Sequence, residues 1–183
     1  MSFKETYQKT IAPKLQKEFG VKNIHAVPGI ERVVVNVGLG RMADQASFKD
    51  KLLPAILEEL ALICGQKPAT RPARKSIAGF KVREGDVVGV KATLRGNRMY
   101  DFVQKVITIV FPRVRDFKGI DLKNIDESGN LNLGFREHVV FPEINPETSK
   151  VQFGLQVTVV AKNIKNREEA LALYKALGFV FKK

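Results

Sequence analysis

The chain has 183 residues, 44% of them hydrophobic, and a formal net charge of +12. This length suits one globular domain with a substantial core. A single cysteine excludes an internal disulfide and a cysteine-based zinc cluster. The N-terminus lacks the apolar run of a signal peptide, and no segment reaches the ~20 apolar residues of a membrane span. We therefore expect a cytosolic protein whose partner is a nucleic acid rather than a membrane.

The first predicted element is a helix from Ser2 to Phe19, because large apolar residues recur there every fourth position. Ser2 and Glu5 have the spacing of a capping box. Pro13 lies inside the pattern and predicts a break or a kink. Gly20 predicts the end of the helix.

Three later segments alternate apolar and polar residues, which predicts strands. They are Glu31–Val37, Asp86–Arg95 and Val151–Val160. Three more segments have helical periodicity. The first is Gln45–Cys64, where Pro54 predicts either a start near Leu53 or a kink. The second is capped by Asn97 and stopped by Pro112, and the last runs from Asn166 to Gly178. Residues 68–79 and 113–147 are predicted to be extended loops. Because strands and helices mix without a regular βαβ order, the sequence predicts an α+β fold in one domain. It has a mainly antiparallel sheet with helices packed on one face.

The positive charge is concentrated between Gln66 and Arg98. These 33 residues contain nine Lys or Arg and two acids, a net +7. A basic segment that ends in a strand favours a polyanion held against a defined surface.

The second face of the predicted sheet is polar and lacks carboxylates. Its side chains are Asn36, Lys91, Thr93, Arg95, Gln152, Gln156 and Thr158, with glycines at 38, 89 and 154. Amides and hydroxyls bind bases and ribose, cations bind phosphate, and glycine in a strand permits close approach of another backbone or a ligand. An ordinary solvated face has a similar composition, so this alternative stays open.

Phe80 lies within the basic segment, flanked by Lys75, Lys81 and Arg83. A single phenylalanine usually packs in a core. Its basic neighbours favour the alternative, a ring that stacks on RNA bases.

Catalytic and metal-binding patterns are weak. The sequence V-N-V-G-L-G-R-M-A around Gly38 and Gly40 resembles a dinucleotide-binding turn, but no second βαβ unit follows. His25 and His138 lack metal-ligand spacing, and Cys64 has no activating base, which favours a buried structural role. We expect no enzyme activity, cofactor or metal. A nucleotide-binding enzyme and a basic protein-interaction module are the rival hypotheses.

Several motifs, in this order and spacing, resemble the bacterial form of the universal large-subunit ribosomal protein five family, which binds 5S rRNA. They are N-V-G-L-G at Asn36, G-Q-K-P at Gly65, K-S-I-A-G-F-K-V-R-E-G at Lys75, T-L-R-G-N-R-M-Y-D-F at Thr93, P-R-V-R-D-F-K-G at Pro112, and G-N-L-N-L-G-F-R-E with F-P-E-I between Gly129 and Ile144. The resemblance covers nearly the whole chain.

The resemblance implies a protein of the central protuberance whose concave sheet face binds 5S rRNA. It implies central RNA contacts at Asn36, Gln66, Phe80 and Thr93, with Ser76 also in the RNA-binding set. Phosphate neutralisation is expected from Lys67, Arg74, Lys75, Lys81, Arg83, Lys91, Arg95 and Arg98.

The resemblance also implies partners beyond 5S rRNA. They include the 23S-type rRNA and neighbouring 5S-binding ribosomal proteins. The peptidyl-site (P-site) tRNA is expected near the 68–79 loop, whose tRNA-proximal residues are Arg71, Arg74 and Lys75. A protein of the small-subunit head is expected opposite residues 113–147. The chain departs from the family pattern at Arg71, where Thr is usual, and at Pro72, where a basic residue is usual. Leu131 replaces a frequent aromatic residue and Val180 a usual proline.

Overall fold

The computed structural model describes residues 2–40, 42, 47–115 and 117–182. Within these residues the chain forms four helical runs and five strands. The helical runs are α1 (Phe3–Thr6, Tyr7–Ile11 and Ala12–Glu18), α2 (Phe48–Leu52 and Leu53–Cys64), α3 (Gly96–Lys105, Val106–Val110 and Phe111–Arg113) and α4 (Arg167–Leu177). The strands are β1 (Gly29–Gly38), β2 (Ala69–Pro72), β3 (Val87–Leu94), β4 (Leu131–Phe135) and β5 (Leu155–Lys162).

The strands form one antiparallel sheet in the order β2-β3-β1-β5-β4. Buried and more exposed residues alternate along β1, where Val33, Val35 and Val37 are buried while Asn36 is exposed, whereas β2 is exposed throughout. The predicted α+β class with an antiparallel sheet is confirmed.

The chain divides into two compact units, and strands β1, β4 and β5 each run from one into the other. The first unit comprises Met1–Val33, Arg95–Leu133 and Thr158–Lys183, and the second comprises Val34–Leu94 and Gly134–Val157. They are called the helical unit and the hairpin unit below.

The helical unit contains α1, α3 and α4. The Tyr7 and Tyr100 rings lie 5.7 Å apart, and the Tyr7 hydroxyl donates to the Pro28 carbonyl at 2.8 Å. The Tyr174 hydroxyl, also buried, lies 2.8 Å from the Gly129 carbonyl oxygen and 3.1 Å from that of Val159. Aromatic rings with satisfied hydroxyls therefore form much of this core.

The hairpin unit contains α2, β2 and β3. Ile56, Leu60 and Ile63 form the buried stripe of α2, as their spacing predicts. Cys64 at the end of that helix is buried, in agreement with a structural role.

The predicted helices exist, but several predicted capping hydrogen bonds are absent. The Ser2 side chain makes no capping bond, whereas α1 ends at Glu18 and Gly20 follows at a left-handed φ of +62°, as predicted. Asn97 does not cap α3, which begins at Gly96; its amide oxygen accepts from Lys4 Nζ at 3.0 Å instead.

The side chain of Asn166 also makes no cap to α4. The neighbouring carboxylate of Glu169 accepts from the Lys165 backbone at 2.9 Å. Gly178, at φ +100°, ends α4 as predicted. The predicted helix start at Gln45 lies outside the described residues.

Two loop predictions overlooked short strands. Residues 68–79 begin with β2 at Ala69–Pro72, and β4 at Leu131–Phe135 lies within 113–147. The third strand begins at Leu155 rather than Val151, because the Phe153 backbone bonds to His138: the Phe153 carbonyl accepts the His138 N–H at 3.1 Å, and the Phe153 N–H lies 3.5 Å from the His138 ring nitrogen Nδ1.

Candidate nucleic-acid interface

The hairpin unit presents a polar sheet face where strand alternation predicts one. Asn36 on β1 is exposed, and Lys91 and Thr93 on the neighbouring β3 are half-buried. The intervening residues Val90, Ala92 and Leu94 are buried. The strand pleat therefore places two of the predicted central contacts, Asn36 and Thr93, on one face.

Gln66 joins this face from the end of α2. Gly65 follows the helix at φ +62°, a left-handed conformation that suits glycine and reverses the chain. The Gln66 amide then donates to the Thr93 carbonyl at 3.2 Å. Two predicted contacts 27 residues apart in sequence are thus held together.

Phe80 stands at the tip of a short hairpin. Ile77 and Val82 exchange backbone hydrogen bonds of 2.9 and 3.3 Å, and Phe80 N donates back to Ile77 O at 3.2 Å. Lys81 takes the left-handed φ of +51° that closes the turn. The Phe80 side chain is 74% exposed, so core packing is excluded and a ring is available to a ligand.

Polar contacts hold the base of this hairpin. Asp86 accepts the Arg83 N–H at 2.9 Å and lies 3.4 Å from Lys49 Nζ. The Arg83 backbone hydrogen bond, followed by Lys49, lowers the pKa of Asp86 below its ordinary value. Ser76, predicted to bind RNA, accepts the Glu84 N–H at 2.9 Å and so braces the same turn. The basic loop is thereby held in a defined shape.

The predicted cations are distributed between the two units. Those in the hairpin unit, besides Lys91, are exposed: Lys67, Arg71, Arg74, Lys75, Lys81 and Arg83. Arg95 and Arg98 are exposed in the helical unit, where Arg95 lies 3.6 Å from a Glu31 carboxylate oxygen. Part of the Arg95 charge is therefore already compensated within the chain.

Two glycines of the polar face are closely approached by backbone, one of the two causes predicted. A Cβ at Gly89 would lie 3.0 Å from the Val37 carbonyl oxygen, and one at Gly154 would lie 3.0 Å from that of Phe135. These two positions favour glycine because the protein's own backbone approaches closely. A Cβ added at Gly38 would have no atom within 4 Å beyond the neighbouring residues, so that position is open.

The dinucleotide hypothesis fails on topology. Gly38 and Gly40 line an open cleft with Arg136 and Gln152, but the strand before them belongs to an antiparallel sheet. A dinucleotide-binding turn requires a parallel βαβ unit. Among the described residues there is no cluster of three or more metal-ligating side chains. The described helices are also too short, or too polar, to cross a bilayer.

A buried cluster around His138 was not predicted. The ring stacks on Phe153 with centroids 4.1 Å apart, and its Nε2 lies 2.9 Å from Glu59 and 3.1 Å from the Ser149 hydroxyl. Glu59 and Ser149 meet the same ring nitrogen, which is not the relay of a catalytic triad. A glutamate in the middle of an amphipathic helix offered no signal that its partner lies about 80 residues away.

Comparison with known proteins identifies the family. A model of ribosomal protein L5 matches residues 23–83, and a model of the C-terminus of the same ribosomal protein family matches residues 87–181. The large ribosomal subunit protein uL5 of Synechocystis is 50% identical, with 98% of this chain and 97% of the relative covered. The proteins of the same name from Fervidobacterium nodosum and Halothermothrix orenii are 47% and 44% identical, over 98% and 97% of this chain and 95% and 96% of theirs. With both models matched and such relatives covered almost end to end, the chain belongs to the ribosomal protein L5 family, a structural rather than an enzymatic one.

Proposed function

We propose that this protein is a structural constituent of the large ribosomal subunit that binds 5S rRNA and helps attach it in the central protuberance. The names of its relatives support the ribosomal role. The RNA-binding role rests on one observation: the hairpin unit combines an exposed polar sheet face with a protruding aromatic ring in a basic segment.

Each part of that surface has a chemical task. Asn36, Gln66 and Thr93 donate and accept hydrogen bonds, so they read base edges and ribose hydroxyls. Phe80 stacks on an unpaired base. The surrounding cations neutralise phosphates and contribute affinity without sequence selectivity.

The remaining partners follow from family membership and the position of the basic loop. Arg74 and Lys75 are exposed beyond β2, and their charge suits contact with the P-site tRNA. Residues 113–147 form a bridge to a protein of the small-subunit head. The 23S-type rRNA and neighbouring 5S-binding ribosomal proteins complete the surroundings, in the cytoplasmic ribosome.

Binding to isolated 5S rRNA across a salt series tests the proposal. If about five phosphates are neutralised, the logarithm of the association constant falls with the logarithm of salt at a slope of roughly −3.5 to −4.5. A salt-independent affinity contradicts the electrostatic part. Equal affinity for an unrelated folded RNA favours a basic interaction module for which RNA is incidental.

Phe80→Ala tests the aromatic contact. We expect 5S binding to weaken by about 1–3 kcal/mol with an unchanged melting temperature, because the ring is exposed in the free protein and stacks only in the complex. Leu62→Ala is the matched control, since Leu62 is also apolar, 60% exposed and in the hairpin unit. A loss of stability without a loss of affinity contradicts the stacking role.

A further inference from the structure

The register of the edge strand β2 moves Arg71 out of the loop that the sequence predicts. Arg71 pairs with Gly89 of β3, and Ala69 pairs with Lys91. Directly paired residues of antiparallel strands project to the same side of a sheet. Arg71 therefore lies on the polar face, together with Lys91 and Thr93.

Small partners leave room for both cations of this face. Gly89 has no side chain opposite Arg71, and the methyl group of Ala69 is all that stands opposite Lys91. Arg71 and Lys91 are diagonal neighbours across the strand pair, a separation of about 7–8 Å in such sheets. Arg71 is exposed and Lys91 half-buried.

A β-bulge ends this register immediately after Arg71. Pro72 pairs with Val87, so Val88 is skipped, and the ladder continues with Ala73 N donating to Asp86 O at 2.8 Å. The alternation that assigns a face to Arg71 does not extend past the bulge to Arg74 or Lys75. Arg71 is therefore the last side chain of β2 that the regular ladder holds on the polar face.

We propose that Arg71 is an RNA-binding residue of the polar sheet face, where it grips a 5S rRNA phosphate together with Lys91, rather than a residue of the tRNA-facing loop. This inference rests on the proposed 5S rRNA binding. A guanidinium on an ordered strand suits this task because its planar fork donates two parallel hydrogen bonds to a phosphate.

Arg71→Gln tests the assignment, with Lys51→Gln as the matched control, since Lys51 is an exposed cation of α2 in the same unit. We expect Arg71→Gln to reduce affinity for isolated 5S rRNA about tenfold, the loss typical of one charge-assisted hydrogen bond. The salt slope should become shallower, by no more than about 0.7–0.9, because Lys91 still contacts the shared phosphate. Lys51→Gln should change neither quantity.

The combination of Arg71→Gln with Lys91→Gln tests the shared phosphate. If both cations hold one phosphate, the double variant loses less affinity than the two single losses predict together. Fully additive losses overturn the shared grip.

Other outcomes separate this inference from the proposed function. If Arg71→Gln binds like the unchanged protein while Asn36→Ala weakens binding, the Arg71 assignment is wrong and 5S binding stands. Equal losses from Arg71→Gln and Lys51→Gln overturn the assignment too, because the effect is then one of general charge. Failure of the unchanged protein to bind 5S rRNA overturns both.

Discussion

The buried His138 ring connects separate segments of the hairpin unit at the level of single residues. The Phe153 N–H lies 3.5 Å from Nδ1, and Nε2 faces the Glu59 carboxylate and the Ser149 hydroxyl. Ser149 in turn donates to the Val151 carbonyl at 3.0 Å. The ring thus fastens the segment from residue 138 to 153 onto helix α2.

His138→Leu should lower the free energy of unfolding by about 1–3 kcal/mol, because it leaves the largely buried Glu59 carboxylate without its partner. Urea denaturation measures the loss, and the slope of the unfolding free energy against urea concentration should stay unchanged. Adding Glu59→Leu should recover part of it, since replacing both members of a buried polar pair is less costly than replacing one. Purely additive losses contradict the pairing.

The sequence predicted single residues well where the pattern was local. Strand alternation placed Asn36 and Thr93 on the polar face, and the basic context of Phe80 indicated an exposed ring. Gln66 bonding to Thr93, and Glu59 meeting His138, depend on tertiary packing that no local pattern encodes. The glycines were correctly singled out for close approach, and at Gly89 and Gly154 the approaching group is a carbonyl of the chain's own backbone.

At the scale of elements, helices α1 and α2 continue past a proline, whereas α3 ends at Arg113, directly after Pro112, as predicted. In each, a π-helical segment precedes the α-helical stretch that has Pro13, Pro54 or Pro112 as its second residue. The residue before each proline bonds five positions back: Ala12 to Tyr7, Leu53 to Phe48 and Phe111 to Val106. A proline clashes with the carbonyl four residues earlier in a regular helix. The π-helical segment contains that carbonyl, and its wider turn relieves the clash.

Pro54→Ala tests this explanation. Because the π segment already relieves the clash, we expect the free energy of unfolding to change by no more than about 1 kcal/mol. Ala61→Pro is the control, since position 61 lies in the regular part of α2 without such a segment, and it should cost about 3 kcal/mol or more. Similar effects of the two substitutions in chemical denaturation would argue against relief by the π segment.

The strands that the sequence missed are short and depend on their neighbours. β2 has four residues, all exposed, and includes a proline, which lowers strand propensity but is tolerated at a sheet edge. Its existence follows from pairing with β3, and the position of Arg71 follows from that pairing. Apolar periodicity predicted β1, β3 and β5 because these strands bury one full face.

At the scale of the whole molecule, the three tyrosines report on one unit only. Tyr7, Tyr100 and Tyr174 all belong to the helical unit. Burial raises the pKa of all three, that of Tyr7 to about 12 with a contribution from Tyr100. The chain passes between the units four times, so unfolding of one unit removes the constraint on the chain ends of the other. We therefore expect the units to unfold together.

Alkaline unfolding tests this cooperativity. A tyrosine with a raised pKa stabilises the fold fully below its ordinary value of 10.0, and this stabilisation is lost as pH rises toward 12, because the unfolded chain releases the proton first. We expect phenolate absorbance, which reports the helical unit, to rise together with the loss of hydrogen-exchange protection at β3 in the hairpin unit. Tyr7→Phe should make stability less dependent on pH in this window. If β3 stays protected after the tyrosines have ionised, the two units unfold separately and the chain consists of two domains rather than one.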